Sequence, residues 1–416
     1  MQDDFLEERE NDLRFSDTSL SKLAEKYETP FFVYSSEIIE QSYGRFRDSF
    51  SEKFDIFYSV KANPNLHILR LLRDMGAGME IASLGELALC KELGIPGERI
   101  VFAGPGKTDE ELREAIEYGI LAINAESFNE VKRVDKIAGD LGKEQGVNLR
   151  INPDFKASGD IILSGKPSKF GIDEEEISRV EKLTDLDNID LKGIHVFSAS
   201  QVLDSEKLVE YMGKVFSLVE KAEEYFEVEL VDIGTGFGIP YGEDGERIDI
   251  GKIGSEVEDL VEKFGFEDKD FVLESGRYLV GSSGVYITEV IDKKQSRGKN
   301  FVITKGGINH FLRPQLIGTS HGIINITSDD KEREVLDVGG QLCTSLDFLG
   351  KDVDMKRTSR GDLLAVLNTG AYGLTESMLF FLSHETPLEI LINDEGEELV
   401  IRKRTKPKDL INKQRK

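Results

Sequence analysis

The sequence predicts an α/β fold, a (β/α)8 barrel followed by a smaller antiparallel β domain. Three observations lead to this prediction: eight apolar, strand-like runs between residues 54 and 273, helix start signals after several of them, and a change of pattern after Arg277. Eight strand–helix repeats in about 220 residues agree with a barrel, whose usual size is about 250 residues. A doubly wound open sheet remains an alternative, because right-handed crossovers occur in both folds.

The eight runs are rich in apolar and β-branched residues, as buried parallel strands are. They are Phe54–Val60, Gly78–Ala82, Ile100–Ala103, Leu121–Asn124, Val147–Ile151, Leu191–Phe197, Glu229–Ile233 and Phe271–Leu273. Pairs with the spacing of a capping box, in which a hydroxyl and a carboxylate satisfy the first free amides of a helix, follow three of them. These pairs are Ser83 with Glu86, Thr108 with Glu111 and Ser127 with Glu130.

Beyond residue 275 the strands are short and separated by turns, which is typical of an antiparallel β domain. The predicted strands are Val285–Val290, Asn300–Thr304, Ile323–Thr327, Glu334–Val338, Leu363–Leu367, Leu388–Ile392 and Glu397–Ile401. We therefore expect an N-terminal segment (1–30) that packs on the β domain, a barrel over 31–275 and a β domain over 276–416.

Composition excludes several classes of protein. The formal net charge is -26, so nucleic acid and anionic membranes would be repelled. Two cysteines are too few for a disulfide scaffold, and the acidic start of the chain does not resemble a secretory signal. No apolar run has the length of a membrane span. We expect a soluble, cytoplasmic protein and assign no metal site.

The first candidate for chemistry is Lys61, in the stretch FDIFYSVKANPN. It follows an apolar run and is stopped at once by Asn63 and Pro64. An arbitrary lysine here is usually a surface residue at the start of a loop. In a barrel, however, the carboxyl ends of the strands carry the active site, and Lys61 lies at such an end.

Two further stretches end barrel strands. In VDIGTGFGIP, Gly234, Gly236 and Gly238 would let backbone amides approach an anion, although such a turn is as often only a tight loop. In LESGRYLVG, Glu274 and Arg277 place an acid and a cation at the same rim, where a plain ion pair is equally consistent with the spacing. Their shared position at the strand ends favours function.

Taken in order, SVKANPN, GIHVFSASQ, VDIGTGFGIP, ESGRYLVG, CTSLDFLGKD and GAYG resemble the type III pyridoxal-phosphate decarboxylases, the diaminopimelate and ornithine decarboxylase family. The resemblance runs from about Pro30 to Ile392. It implies an alanine-racemase-like barrel plus a β domain, the cofactor pyridoxal 5'-phosphate, an amino-acid substrate, and a homodimer with shared active sites.

The resemblance also implies roles for individual residues. Lys61 matches the lysine that binds the cofactor aldehyde, and Glu274 the acid that keeps the pyridine nitrogen protonated, which makes the ring an electron sink. Cys343 matches a cysteine that reaches the neighbouring subunit's site and returns a proton to the α carbon. The residues matched to the cofactor's phosphate, ring face and glycine loop are Ser200, Gly234, Gly236, Arg277, Tyr372 and Phe197.

Substrate contacts are implied for Arg313, in NHFLRPQL, and for Asp347, on the dimer side of the site. His195 matches the first histidine of an HxH-like run and is more often structural than catalytic in such a position.

Three departures bear on the substrate. Phe197 stands where common members have a histidine, so it can stack on a ring but cannot change charge. Thr344 follows Cys343 where an acid would read the far ammonium of a diamino substrate, and Glu376 is the candidate to replace that acid. The segment MLFFLSHETP lacks the Asn and Arg pattern of diaminopimelate enzymes.

These departures, with the extra stretch FKASGDIILSGKPSKFGID, resemble a side branch that decarboxylates glutamyl groups tethered to a carrier protein. The substrate is therefore a free amino acid, as in diaminopimelate decarboxylase, or a tethered one. A racemase of this fold is less consistent with Glu274, because alanine racemases pair the ring nitrogen with arginine. A non-catalytic pyridoxal-phosphate regulatory protein would be expected to have lost Lys61 or Cys343.

Overall fold

The computed structural model describes residues 6–9, 12–155, 161–162, 165–183, 186–242 and 246–414. Contacts within the chain divide it into two compact units. The barrel unit comprises Ser42–Ile239 and Glu246–Leu279, and the sheet unit comprises Met1–Gln41, Pro240–Gly245 and Val280–Lys416.

The N-terminal region begins with a small antiparallel sheet. Its elements are β1 (Leu6–Arg9), β2 (Asp12–Phe15), β3 (Thr18–Ser19), α1 (Leu20–Tyr27), β4 (Phe31–Ser35) and α2 (Ser36–Ser49). The Ser19 hydroxyl caps α1 by accepting a hydrogen bond from the Lys22 amide at 3.2 Å. All five residues of β4 are buried, which explains their apolar character.

In the barrel unit, eight parallel strands close on themselves, each bonded to the next and the last to the first. They are β5 (Phe54–Ser59), β6 (Gly78–Ile81), β7 (Ile100–Phe102), β8 (Ala122–Ala125), β9 (Gln145–Asn152), β12 (Ile189–Val196), β14 (Leu230–Gly234) and β15 (Asp270–Ser275). Three short strands accompany them: β10 (Ile161–Ile162), β11 (Ile172–Asp173) and β13 (Ala199–Ser200). The closed barrel and the separate sheet confirm the predicted fold class and exclude the open-sheet alternative.

Helices follow most of the barrel strands. They are α3 (Leu66–Asp74), α4 (Leu84–Glu92), α5 (Asp109–Tyr118), α6 (Phe128–Leu141), α7 (Ser205–Glu223), α8 (Ile250–Phe264) and the single turn α9 (Arg277–Val280). Between β9 and β12 the described chain has 3-10 turns over Glu174–Leu183.

The three predicted caps have the expected hydroxyl contacts, but only Thr108 with Glu111 forms the complete reciprocal box. At the other two helices the glutamate accepts from the amide one residue further back, that of Ala82 or Glu126.

The sheet unit contains β16 (Gly284–Ser296), β17 (Lys299–Thr304), α10 (Arg313–Ile317), β18 (Ile323–Asn325), β19 (Arg333–Gly339), β20 (Phe348–Lys356), β21 (Leu363–Val366), β22 (Leu388–Ile392), β23 (Glu398–Arg402) and α11 (Pro407–Gln414). Its strands run in the order β20-β19-β17-β16-β4-β22-β23, and β21 joins β16 to β18. Most pairs are antiparallel as predicted, but β17 pairs with β19, and β4 with β22, in parallel. Strand β20 was not among the predicted strands.

The division at Gln41 differs from the expected boundary at residue 31. Strand β4 lies in the second sheet because it pairs with β16 on one side and with β22 on the other. Phe15, Leu20 and Leu23 of the N-terminal segment share one hydrophobic core with Val285 and Ile390 of that sheet. Burying large apolar side chains of this kind is worth about 1.5–3 kcal/mol each.

No helix in the described part of the chain is long and apolar enough to cross a membrane.

Candidate active site

At the carboxyl ends of the barrel strands lies a cavity of about 210 Å³. Strands on several sides contribute to it, as in other barrels of this class. Its lining consists of Lys61, Glu80, Ala82, Ala103, Gly104, Pro105, Arg150, Phe170, His195, Phe197 and Glu274. Four residues singled out from the sequence therefore line one small space: Lys61, His195, Phe197 and Glu274.

Lys61 lies one residue beyond Val60, in the turn that ends β5. Its Nζ is 2.7 Å and 2.5 Å from the two carboxylate oxygens of Glu80. Glu80, on the adjacent strand β6, is fully buried, whereas about a third of the Lys61 side chain is exposed. Glu80 thus fixes the amine at the cavity and can accept a proton from it. Sequence reasoning missed Glu80, although an acid inside the apolar run GMEI was a usable signal.

Phe197 follows β12, and its ring centroid lies 5.8 Å from the Lys61 Nζ. The ring packs against the backbone of Gly234 so closely that a Cβ on Gly234 would lie 2.2 Å from the Phe197 Cδ2. Glycine at position 234 therefore leaves room for the aromatic ring that forms one face of the cavity.

Glu274 of β15 is buried and lies in a polar cluster inside the barrel. Its Oε2 is 3.4 Å from the His195 Nε2, and its Oε1 is 3.4 Å from the Asn124 Nδ2. Burial tends to raise the pKa of Glu274, but the charges of His195 and Lys61 and the hydrogen bond from His195 outweigh it and lower that pKa. The lowered pKa favours the ionised form of Glu274.

Asp232 lies on β14 directly opposite His195 of β12. It is fully buried, and its Oδ2 accepts a hydrogen bond from the Asn124 Nδ2 at 2.7 Å. Burial, and then the charge of Glu274, raise the pKa of Asp232 well above its ordinary value. Asn124 and Asp232 interrupt apolar strand runs in the sequence, which was the signal that they face the barrel interior.

Beyond Phe197, a second group of residues surrounds the turn after β14. Gly236 has φ +68°, and a Cβ there would lie 2.6 Å from the carbonyl oxygen of Ala199. The Arg277 Nη2 donates to the Ser200 Oγ at 3.2 Å, and Arg277 is buried. The structure thus brings two side chains that can donate hydrogen bonds to an anion, Ser200 and Arg277, close to the glycine turn at Gly236. This group lies next to the strands that commonly bind phosphate in barrels.

Two buried ion pairs that the sequence analysis missed support the other side of the cavity. Arg150 Nη1 is 2.7 Å from Glu126 Oε1, and its guanidinium carbon is 4.6 Å from the centroid of the Phe170 ring. Lys107 Nζ is 2.8 Å from Glu130 Oε1, with both side chains almost fully buried. Such pairs hold loops in place because either charge alone would be costly in the interior.

In the sheet unit, three predicted residues also form one cluster. The Arg313 Nη1 donates to both carboxylate oxygens of Glu376, at 2.9 Å and 3.1 Å. The Arg313 guanidinium carbon lies 4.5 Å from the centroid of the Tyr372 ring. Glu376, considered above as an acid for a distal ammonium, is therefore already engaged by a cation.

The remaining two predicted residues lie on one loop of the sheet unit. Cys343 is exposed and unpaired. Asp347 is buried, and its carboxylate accepts hydrogen bonds from the amides of Ile308 at 2.8 Å and Leu342 at 2.7 Å. Both carboxylate oxygens of Asp347 thus accept hydrogen bonds from the backbone. One of these bonds fixes Leu342, the residue before Cys343, so Asp347 helps to position Cys343.

Pyridoxal phosphate, the cofactor expected from the sequence, fits the residues present. A cavity of about 150 Å³ accommodates benzene, so the larger space here has room for one substituted heteroaromatic ring. An amine, a carboxylate and an aromatic face line this space. Glycine is required at position 236 by its positive φ and by the nearby Ala199 carbonyl oxygen, and the Arg277 and Ser200 side chains near this turn can donate hydrogen bonds to a phosphate.

Comparison with known proteins gives one consistent picture. Residues 36–281 match the family model "Pyridoxal-dependent decarboxylase, pyridoxal binding domain". An L-glutamyl-[BtrI acyl-carrier protein] decarboxylase from Niallia circulans is 37% identical over 408 residues, covering 94% of this chain and 95% of that protein. A diaminopimelate decarboxylase from Aquifex aeolicus is 37% identical over 404 residues, covering 96% and 95%. The crystal structure of diaminopimelate decarboxylase from M. jannaschii with L-lysine has a TM-score of 0.92 at 31% identity, covering 99% and 98%.

Proposed function

The chain belongs to the pyridoxal-dependent decarboxylase family, and from this premise we propose that it is an enzyme that removes the α-carboxyl group of an amino-acid or amino-acyl substrate, with free diaminopimelate as the first candidate. Pyridoxal-phosphate-dependent decarboxylation of an amino acid is the activity that its relatives share. The observation that carries the proposal is the presence of Lys61 and Glu274 in the lining of one cavity.

When bound, pyridoxal phosphate supplies an aldehyde for the substrate amine and an electron-withdrawing ring that takes up the electron pair left by departing carbon dioxide. Lys61 would bind the aldehyde, and Glu80 would accept the proton that its ammonium must lose. Glu274 would hold a proton on the ring nitrogen, and Phe197 would cover one ring face and exclude water. Ser200, Gly234, Gly236, Arg277 and Tyr372 would position the cofactor, chiefly through its phosphate.

A second candidate substrate is a glutamyl group tethered to a carrier protein. Its support is local: Cys343 is followed by Thr344 rather than an acid, and Glu376 is engaged by Arg313. No acid at these positions is left to read a distal ammonium, which a tethered glutamyl group lacks. Arg313 and Asp347 would then contribute to the wall of the substrate site.

We further propose a homodimer in which Cys343 returns a proton to the α carbon in the partner's site. An exposed apolar side chain on the Cys343 loop supports an interface there, since Leu346, three residues from Cys343, is 62% exposed. A cytoplasmic location is part of the same proposal, because both thiols are free.

The first test is the variant Lys61→Ala, with Lys53→Ala, at the opposite end of β5, as its matched control. We expect Lys61→Ala to lose both the visible absorbance of lysine-bound cofactor and turnover, while the control keeps both. Full activity in Lys61→Ala would refute the assignment.

The substrate is tested by measuring carbon dioxide release from free diaminopimelate, lysine, ornithine, arginine and glutamate, and from glutamyl carrier protein. Release from diaminopimelate supports the first candidate, and release from the carrier-bound glutamyl group alone supports the second. Release from none of them contradicts both.

Shared sites are tested by mixing Lys61→Ala with Cys343→Ala subunits. One hybrid site then has both residues, so part of the activity should return. No recovery despite demonstrated subunit exchange would count against the dimer proposal.

A further inference from the structure

The interior of the barrel contains more acids than the cations near them can balance. Glu80, Asp232 and Glu274 are all buried at 5% exposure or less. Lys61 is hydrogen-bonded to Glu80, and His195 is the basic side chain that contacts Glu274. An unbalanced carboxylate in such a place is expensive, so one of these acids is expected to be neutral.

Asp232 and Glu274 are the close pair. One oxygen of each and one ring nitrogen of His195 lie within 4.8 Å of one another. Asn124 connects the two acids, since its Nδ2 donates to the Asp232 Oδ2 at 2.7 Å and lies 3.4 Å from the Glu274 Oε1. For two buried carboxyl groups held this close, the state with one shared proton has a lower free energy than the state with two negative charges.

The contacts indicate which of the two has the proton. The Asp232 Oδ1 is buried and has no hydrogen-bond partner among the described residues. A negative charge on this unpartnered oxygen would cost far more than a neutral hydroxyl in the same place, because a buried ion loses much more hydration free energy than an unpaired hydroxyl does. Glu274, by contrast, faces both His195 and the cavity.

From these contacts we infer that Asp232 is a neutral, proton-bearing positioning residue, which leaves Glu274 as the one negative charge of the pair. This inference rests on the proposed function, because it gives Asp232 the task of keeping Glu274 charged and in place for the cofactor ring. The raised pKa of Asp232 and the lowered pKa of Glu274 agree with it. The charged and titratable groups around the pair are His195 from β12, Glu80 from β6, Arg150 from β9 and Lys61 after β5. Strand β8 contributes the uncharged Asn124.

The test is infrared spectroscopy of the holoenzyme, in which a protonated carboxyl group gives a band of its own that an ionised one lacks. In spectra recorded near pH 7, we expect a band from a protonated carboxyl group. This band should shift when aspartate is labelled with 13C at its carboxyl carbon. The band should disappear in Asp232→Asn. The matched control is Asp55→Asn on β5, which removes a carboxylate that pairs with Arg99 outside the cavity lining, and the band should persist in this variant.

A second readout is the pH titration of the bound cofactor's absorbance. Since Asn is neutral like the proposed state of Asp232, Asp232→Asn should move this titration by less than about 0.5 pH unit. A shift of about one unit or more, or a wild-type spectrum without an aspartate-derived band, would overturn the inference.

If Asp232→Asn does not fold, Asn124→Ser decides the assignment. It weakens the hydrogen bond to the Asp232 Oδ2, so the band should shift without being lost; an unshifted band belongs to another aspartate and refutes the inference. None of these spectra depends on which amino acid is decarboxylated. The inference can therefore fail while the proposed function holds, and the proposed substrate can be wrong while Asp232 carries the proton.

Discussion

Replacing Gly234 by alanine tests how the cavity wall is built. The new Cβ would lie 2.2 Å, 2.6 Å and 2.7 Å from the Cδ2, Cγ and Cβ of Phe197, so the ring has to leave its place. Overpacking of this kind costs about 1–3 kcal/mol. If that cost falls on the cofactor-bound form, the dissociation constant for pyridoxal phosphate should rise roughly 5- to 150-fold.

The assay is equilibrium binding of pyridoxal phosphate to each apo-protein, followed by absorbance or fluorescence. Gly106→Ala is the matched control, because a Cβ there meets no atom within 4 Å and Gly106 is not among the glycines with positive φ. The double variant Gly234→Ala/Phe197→Leu should recover part of the affinity, because the smaller side chain relieves the clash. Wild-type affinity in Gly234→Ala alone would show that the packing described here does not limit cofactor binding.

Two further predictions concern stability. Burial raises the pKa of Glu86 from its ordinary 4.5 to about 7. The folded protein therefore binds more protons than the unfolded chain between these values, and its stability falls as pH rises through this range, by up to about 3 kcal/mol. Urea unfolding near pH 5 and near pH 8 should show this slope in the wild type and a flatter one in Glu86→Gln; equal slopes would contradict the assignment. Lys107→Met leaves the buried Glu130 without its cationic partner and should lower the free energy of unfolding, measured in urea, by about 3–5 kcal/mol. The double variant Lys107→Met/Glu130→Leu should recover most of this stability. A double variant no more stable than the single one would count against a simple pair.

The barrel was predictable because its signals are local. Each strand is a short apolar run, and hydroxyl–glutamate pairs such as Thr108 with Glu111 mark where helices begin. The strand bounds differ by a few residues, since DLDNIDLKG gives no local reason for β12 to begin at Ile189. Residues 31–35 were expected to belong to the barrel region, but they form β4 of the second sheet, whose partners β16 and β22 are distant in sequence.

Part of the candidate site was predictable for a similar reason. Lys61, Phe197 and Glu274 each follow or end a recognisable strand, and together they line the cavity. Glu80, Asp232 and Arg150 were missed because their importance depends on which strands become neighbours across the barrel. Likewise, the contact of Glu376 with Arg313 joins residues 63 positions apart, and no local pattern predicts it.

The placement of β4 has a consequence for how this protein is made. A ribosome releases Phe31–Ser35 long before Gly284–Ser296 and Leu388–Ile392 exist, so a strand that is fully buried in the folded protein lacks both of its neighbours while the barrel is still being synthesised. Unpaired strands of this kind attract other chains. Nascent chains stalled before residue 284 should therefore be the ones that chaperones hold most firmly, and expression of the barrel segment alone should improve when residues 1–41 are left off.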